Sequence, residues 1–173
     1  TGNPAGVTLG PAPTGLNTTN RVNVNNNGAA HLLYEAALGT TLLGGAGVRG
    51  LVIGSGTSGN LRLAGGTLAT TNSSGSGTED VLGSGVAGTF TNDGGNYAAW
   101  VLRLGLNNGS GSGTFTMNAG TATISNIAYN YQSGGSATVE LNGGSLTTRL
   151  ISEVATDGFH VFHFNGGTLL PWP

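Results

Sequence analysis

Apolar and polar residues alternate over short stretches of this chain, and these stretches run into a pair of glycines. A two-residue period is that of a β-strand, whereas a helix repeats its apolar positions every 3.6 residues. After the glycines the chain continues with a β-branched or polar residue and then an aliphatic one. Clear copies are residues 61–68 (LRLAGGTL), 139–146 (VELNGGSL) and 162–169 (FHFNGGTL), and weaker copies are residues 115–122, 90–95 and 42–45.

The motif recurs at a nearly constant interval. Its second glycine falls at positions 45, 66, 95, 120, 144 and 167, so the steps are 21, 29, 25, 24 and 23 residues. Such a period is typical of a solenoid, in which each unit buries its apolar face against the next unit. The sequence therefore predicts an all-β fold, a parallel β-helix (β-solenoid) of about five to six coils with a glycine corner in each coil. The predicted corner glycines are Gly44, Gly45, Gly65, Gly66, Gly94, Gly95, Gly120, Gly143, Gly144, Gly166 and Gly167.

The alternation also predicts which side chains point inward. Aligned motifs should stack their apolar residues in columns, and each buried side chain contributes about 1.5–3 kcal/mol relative to exposure. On the outer side of the same strands, Glu140 and His163 should lie in adjacent coils and form an exposed ion pair. The predicted core columns are Leu61, Leu63, Leu68, Phe115, Met117, Val139, Leu141, Leu146, Phe162, Phe164 and Leu169.

The two ends of the chain differ from the repeat. Residues 1–38 are rich in proline and asparagine and are predicted to form an N-terminal arm or cap, residues 39–170 the solenoid, and residues 171–173 a C-terminal tail. Within the arm, residues 29–38 fit a short helix and a strand about equally well. The open ends of a β-helix present unpaired strand edges, which recruit other chains unless they are covered. The candidate assembly contacts at these ends are Val7, Leu9, Val22, Val24 and Trp172.

The strings FNGGTL, LAGGTL and LNGGSL resemble the autotransporter-associated β-strand repeat, which occurs in bacterial autotransporter passengers and other large secreted or surface proteins. The resemblance covers roughly residues 40–170. It implies a single-stranded right-handed β-helix that is exported to the bacterial cell surface or beyond and has an adhesive or structural role. The chain starts at Thr1 without a basic and apolar leader, so we expect a mature product or a segment of a longer protein.

Composition narrows the possible partners. Charged residues make up 7% of the chain, against roughly 25% in ordinary globular domains, and the net charge is −2. Because phosphate binding requires a cluster of basic side chains, no nucleic-acid partner is expected. No apolar run approaches the length of about 20 residues that a membrane-spanning helix needs. Low charge suits packing between copies of the chain, and we expect the protein itself to be the main partner.

Few residues are candidates for chemistry. Glu79, Asp80 and Asp93 are the carboxylates most able to converge, but a solvated loop is the favoured interpretation. His160 and His163 are three residues apart on a predicted strand and therefore point to opposite sides, which argues against a shared metal ion. The sequence predicts no catalytic residue, no cofactor and no metal site, and an enzyme is not expected.

The leading hypothesis is a structural subunit of an extracellular or cell-surface bacterial assembly that self-associates into a filament, by head-to-tail stacking of coils or by exchange of the arm. The alternative is an adhesin-like or glycan-binding β-helix segment of a larger secreted passenger, with surface glycans as partners. A third hypothesis is ice binding by a polar column at Thr67, Thr121, Ser145 and Thr168, which irregular coil lengths disfavour.

Overall fold

The chain forms a parallel β-solenoid. The computed structural model describes residues 49–70, 79–106, 111–129, 135–154 and 158–173, together with the backbone of three earlier strands. None of the described residues lies in a helix, so no helix there could span a membrane. The strands are β1 (Val22–Val24), β2 (Leu32–Tyr34), β3 (Thr40–Leu42), β4 (Arg49–Ser55), β5 (Gly59–Leu63), β6 (Thr67–Ala69), β7 (Glu79–Ser84), β8 (Ala87–Leu106), β9 (Ser112–Tyr129), β10 (Ser136–Leu141), β11 (Ser145–Glu153), β12 (Phe159–Phe164) and β13 (Thr168–Pro171).

The strands pair in parallel and build three faces around one interior. The first face contains β1, β4 and β7, followed by residues 101–106 of β8, 126–129 of β9 and 150–153 of β11. The second contains β2, β5, the start of β8, the start of β9, β10 and β12. The third contains β3, β6, residues 96–98 of β8, 121–124 of β9, the start of β11 and β13. The long strands β8 and β9 bend through the corners and contribute to all three faces.

Apolar columns fill the interior because each strand alternates inward and outward side chains. On the second face, Phe90, Phe115 and Val139 follow one another in register and are completely buried. The side chains of eight predicted column residues have no exposed surface: Leu61, Leu63, Leu68, Phe115, Met117, Val139, Leu141 and Leu146. The other three lie on the last strands, where Phe162 is half-buried and Phe164 and Leu169 are exposed.

The glycine corners stack on one another between the second and third faces. The second glycine has a left-handed backbone in four corners, with φ of 71° at Gly66, 76° at Gly120, 72° at Gly144 and 77° at Gly167. At Gly144 an added Cβ would lie 2.6 Å from the carbonyl oxygen of Gly120 in the preceding coil, so both the angle and the space require glycine. Of the other predicted corner glycines, Gly65, Gly94, Gly95, Gly143 and Gly166 lie in the same turns, and Gly44 and Gly45 lie outside the described residues.

The N-terminal strands belong to the same faces. Val22–Val24 pairs with residues 51–53, and Leu32–Tyr34 pairs with residues 61–63. Residues 32–34 are therefore strand, in a segment for which the sequence left helix and strand open. Strands β1 and β2 fall within the segment that the sequence analysis assigned to an arm or cap, and they lie on the first and second faces of the solenoid.

Candidate assembly surface

The C-terminal end of the solenoid exposes the edges of three strands. β12 pairs with β10, β13 pairs with β11, and residues 150–153 of β11 pair with β9. Within the described residues, none of these three segments has a partner on its other side. Unpaired N–H and C=O groups of this kind form a template for further strands. Each face therefore ends in a position where another parallel strand would fit.

The same end exposes apolar side chains that point inward. Phe164 follows Leu141 in register and Leu169 follows Leu146, yet Phe164 is 58% exposed and Leu169 is 44% exposed whereas both preceding leucines are fully buried. The difference arises because each leucine is covered by the next coil, and the last coil has none above it in the described structure. Covering this end would remove the exposed surface of Phe164 and Leu169 from water.

The N-terminal end presents the matching arrangement. β1, β2 and β3 each pair with one strand, respectively β4, β5 and β6, within the described part of the chain. One strand lies on each of the three faces, in the same order and direction as at the C-terminal end. Val22 and Val24 occupy the register positions of Leu51 and Ile53. A second copy placed on the C-terminal end would therefore continue all three ladders in parallel.

One corner of the C-terminal end is polar and ionisable. Glu153 follows Tyr129 in register, and His160 follows Ala137, both in columns that are buried in earlier coils. The Nδ1 atom of His160 lies 3.3 Å from an Oε1 atom of Glu153, and the imidazole stacks on the ring of Tyr129 with centroids 5.6 Å apart. Burial raises the pKa of the Tyr129 phenol above its ordinary value. The inward positions of the last coil are therefore apolar at the corner with Phe164 and Leu169, and ionisable at the corner with Glu153 and His160.

A ladder of amide side chains runs along the outside of the glycine corners. Asn165 donates through Nδ2 to Oδ1 of Asn142 at 2.9 Å, Asn142 donates to Asn118 at 2.9 Å, and Asn118 donates to Asp93 at 2.7 Å. Asp93 also forms an ion pair with Arg62. We call Asp93, Asn118, Asn142 and Asn165 the amide ladder; it connects neighbouring coils through their side chains.

Other polar columns follow the outer side of the faces. His163 lies 2.7 Å from Glu140, so the exposed pair expected from the alternation is present. The proposed column of small hydroxyl side chains on the third face is not continuous, because Asn96 stands between Thr67 and Thr121 and accepts a hydrogen bond from the latter at 2.9 Å. This interruption weakens the hypothesis of ice binding, which requires a regular hydroxyl array.

Trp172 packs against its own chain. The register pair Ala99–Ile124 is followed by Trp100 and Ser125, and the pair Thr148–Pro171 is followed by Arg149 and Trp172, so these four side chains share one corner. The two indole rings meet edge to face with centroids 6.5 Å apart, and the Arg149 guanidinium lies 5.7 Å from the Trp100 ring centroid. Ser125 is buried at this corner and its hydroxyl has no partner among the described residues. Two other predicted contacts, Val7 and Leu9, lie outside the described residues.

Asp80 is a buried carboxylate that the sequence analysis placed in a solvated loop, and that interpretation is wrong. It occupies the inward column of Leu102 on the first face and has no exposed surface. Beside it, β4 contains one more residue than β7 between the pairs Arg49–Glu79 and Val52–Val81. This bulge leaves the N–H of Leu51 outside the regular ladder, and an Asp80 oxygen accepts it at 2.9 Å.

Two hydroxyl groups complete the environment of Asp80. Thr70 donates to the second carboxylate oxygen at 2.6 Å, and the Tyr97 hydroxyl donates to the same atom. Burial raises the pKa of Asp80 from 3.8 to about 6, although all three hydrogen bonds oppose this rise. Burial and the adjacent carboxylate also raise the pKa of Tyr97. The Asp80 carboxylate therefore accepts, inside the core, the backbone N–H group that the bulge leaves without a partner in the ladder.

The three carboxylates named in the sequence analysis have separate partners. Glu79 forms an ion pair with Arg103, Asp93 with Arg62, and Asp80 is enclosed in the interior. In the part of the chain that the structure describes, no group of three or more histidine and acidic side chains is arranged to hold a metal ion.

Asn92 is a second buried polar residue in an apolar column. It lies in register with Met117 and has no exposed surface. Its amide nitrogen donates to the carbonyl oxygens of Gly95 and Thr121, both at 3.1 Å, and its oxygen accepts the N–H groups of Gly94 and Gly95. The Asn92 side chain therefore provides hydrogen-bond partners for the backbone groups of this irregular corner.

Comparison of the chain with protein-family models, with curated proteins and with solved structures finds no match. The argument for function consequently depends on the geometry of the described residues.

Proposed function

We propose that this protein is a structural subunit of an extracellular or cell-surface bacterial assembly, in which copies stack head to tail into a filament. The observation that carries the proposal is the exposure of Phe164 and Leu169, whose counterparts Leu141 and Leu146 in the preceding coil are fully buried. Matching strand edges on three faces at the N-terminal end support it. The low charge of the chain, 7% of residues, supports close packing between copies.

The finer architecture is part of the same proposal. Paired strands on the first face run from β1 to residues 150–153 of β11, which supports a helix of about five to six coils. Its single-stranded, right-handed winding is proposed from the resemblance to the autotransporter-associated repeat. The N-terminal residues before β1 would act as a cap or as an arm that a neighbouring copy exchanges. Surface localisation is proposed from the resemblance to the autotransporter-associated repeat.

Two adjacent leucines provide a matched test. Leu169 and Leu170 have nearly equal exposure, 44% and 42%, but Leu169 follows the buried Leu146 whereas Leu170 follows the outward-facing Thr147. We expect the Leu169→Asp variant to lose stacking, because the aspartate would be buried between copies. The Leu170→Asp variant carries the same charge on the outer surface and should stack like the wild type.

Sedimentation velocity over a range of concentrations, with negative-stain imaging, measures the outcome. Loss of about 1 kcal/mol from covering Leu169, together with the cost of burying the aspartate, predicts at least about tenfold weaker association for Leu169→Asp. Thermal unfolding of both variants confirms that each one is folded. A wild-type protein that stays monomeric at the highest concentration, or two variants that associate equally, would refute head-to-tail stacking at this end.

The corner formed by Trp100, Arg149 and Trp172 favours the second candidate function, an adhesin-like or glycan-binding segment of a larger passenger. Aromatic rings at a protein surface can stack on sugar rings, and a guanidinium can donate to sugar hydroxyl groups. A glycan array probed with the wild type and with Trp100→Ala distinguishes this function from assembly. Binding that disappears in the variant supports the glycan-binding role, whereas an array without signal removes it.

A further inference from the structure

Inward positions of a solenoid coil are normally occupied by apolar or small residues. The column that ends at His160 contains Gly88, Gly113 and Ala137, and the column that ends at Glu153 contains Leu104 and Tyr129. Only the last described coil places two ionisable side chains in these columns, and they contact each other at 3.3 Å. Charged residues that point inward at an edge oppose edge-to-edge association. The pair must therefore be accommodated if another coil is to cover this end.

The cost of covering the pair depends on the protonation of His160. Histidine is the side chain whose charge changes most readily between pH 5 and 8. When the imidazole is protonated, the carboxylate of Glu153 and the imidazolium balance each other and share a hydrogen bond. When the imidazole is neutral, a covering coil would bury a carboxylate without a countercharge, which is far less favourable than burial of a paired charge.

We propose that His160 and Glu153 form a pH-sensitive switch that permits head-to-tail stacking at mildly acidic pH and opposes it above neutral pH. This inference depends on the proposed function, because it regulates the same C-terminal end. Stacking would take up one proton at each interface. Burial of Phe164 and Leu169 favours stacking, and the protonation of His160 beside Glu153 determines whether copies stack.

The surroundings contain no described group that would compensate the carboxylate instead. From β9, Tyr129 faces His160; its phenol is neutral throughout this pH range at its ordinary pKa of 10.0, and burial raises that pKa further. From β10, the register neighbour is Ala137, and the carboxylate of that strand, Glu140, contacts His163 on the outer surface. From β11, the facing group is Glu153 itself. In a stacked pair, Val24 of the second copy would take the register position above Glu153.

The test is the dissociation constant of self-association measured by sedimentation equilibrium from pH 5.5 to pH 8. Uptake of one proton predicts that the wild type associates more weakly as the pH rises across this range, by up to about tenfold for each pH unit. Glu153→Gln, which keeps the shape and removes the charge, should associate at pH 8 about as well as the wild type does at pH 5.5. His160→Gln should associate weakly at both values, since the carboxylate loses its countercharge.

His163→Gln is the matched control, because it alters the same residue type on the same strand but on the outer surface. It should keep the pH dependence of the wild type. A wild type that associates equally at all pH values, or a pH dependence that His163→Gln abolishes and His160→Gln retains, would overturn the switch while leaving stacking intact. A wild type that associates at no pH would instead refute the proposed function, so the two failures are distinguishable.

Discussion

Replacing Asp80 with asparagine removes a carboxyl group that the solenoid buries completely, and it should change the pH dependence of stability. Burial raises the pKa of this group from 3.8 to about 6, so the native state binds the proton more tightly than the unfolded chain does. The contribution of Asp80 to stability is therefore fully present below about pH 4 and is lost as the pH rises through 6. A difference of about two pKa units corresponds to about 3 kcal/mol.

The asparagine side chain can keep the essential contacts. Its oxygen can accept the N–H of Leu51, and its amide can donate to the hydroxyl groups of Thr70 and Tyr97, which can rotate to accept. We expect the free energy of unfolding of the wild type to fall between pH 4 and pH 7.5 relative to that of Asp80→Asn. Subtracting the two curves cancels the contributions of all other titrating groups.

Urea denaturation of both proteins at several pH values measures this difference. The matched control is Asp93→Asn, which alters a partly exposed carboxylate paired with Arg62 and should not reproduce a difference that falls with rising pH. If the difference between wild type and Asp80→Asn is flat, or rises with pH, the carboxyl is not held in a desolvated site and the reasoning from its burial is wrong.

Three further predictions concern single positions. Gly144→Ala should lower the free energy of unfolding by about 3 kcal/mol and Gly56→Ala by about 1 kcal/mol, because both glycines have positive φ but only the first has backbone close to the added Cβ; urea denaturation gives both values. Asn92→Leu should destabilise by about 2–4 kcal/mol in the same assay, although its column is otherwise apolar, because buried corner groups lose their partners. A double-mutant cycle of Trp100→Ala and Trp172→Ala should give a coupling of about 1 kcal/mol, and additive effects would argue against the ring contact.

The parallel solenoid could be predicted because its two requirements are local. Alternation marks a strand with one buried side, and a glycine pair marks a corner, so residues 61–68 alone contain most of the information about one coil. Repetition of that string then indicates that the coils stack. The segment at residues 29–38 was ambiguous for the same reason, since good helix formers there carry no alternation strong enough to decide. Pairing of Leu32–Tyr34 with residues 61–63 shows that residues 32–34 form a strand.

The buried polar residues could not be predicted because they depend on register. Asp80 looks like a loop carboxylate in the sequence, and its burial becomes intelligible only once the extra residue in β4 leaves the N–H of Leu51 without a ladder partner. Trp172 looks like a free terminal residue, and its contact with Trp100 depends on the alignment of strands that are far apart in sequence. The alternation places His160 and His163 on opposite sides of their strand, but the contact of His160 with Glu153 could not be predicted because it depends on how β11 and β12 meet at a corner.

The amide ladder has a direction. Each of the three asparagines donates from Nδ2 toward the N-terminal side, and Asn118 and Asn142 also accept at Oδ1 from the C-terminal side. The ladder begins at Asp93, whose carboxylate accepts from Asn118. The ladder ends at the oxygen of Asn165, which has no donor among the described residues. The two ends of the described solenoid therefore differ in the direction of their side-chain dipoles as well as in strand direction.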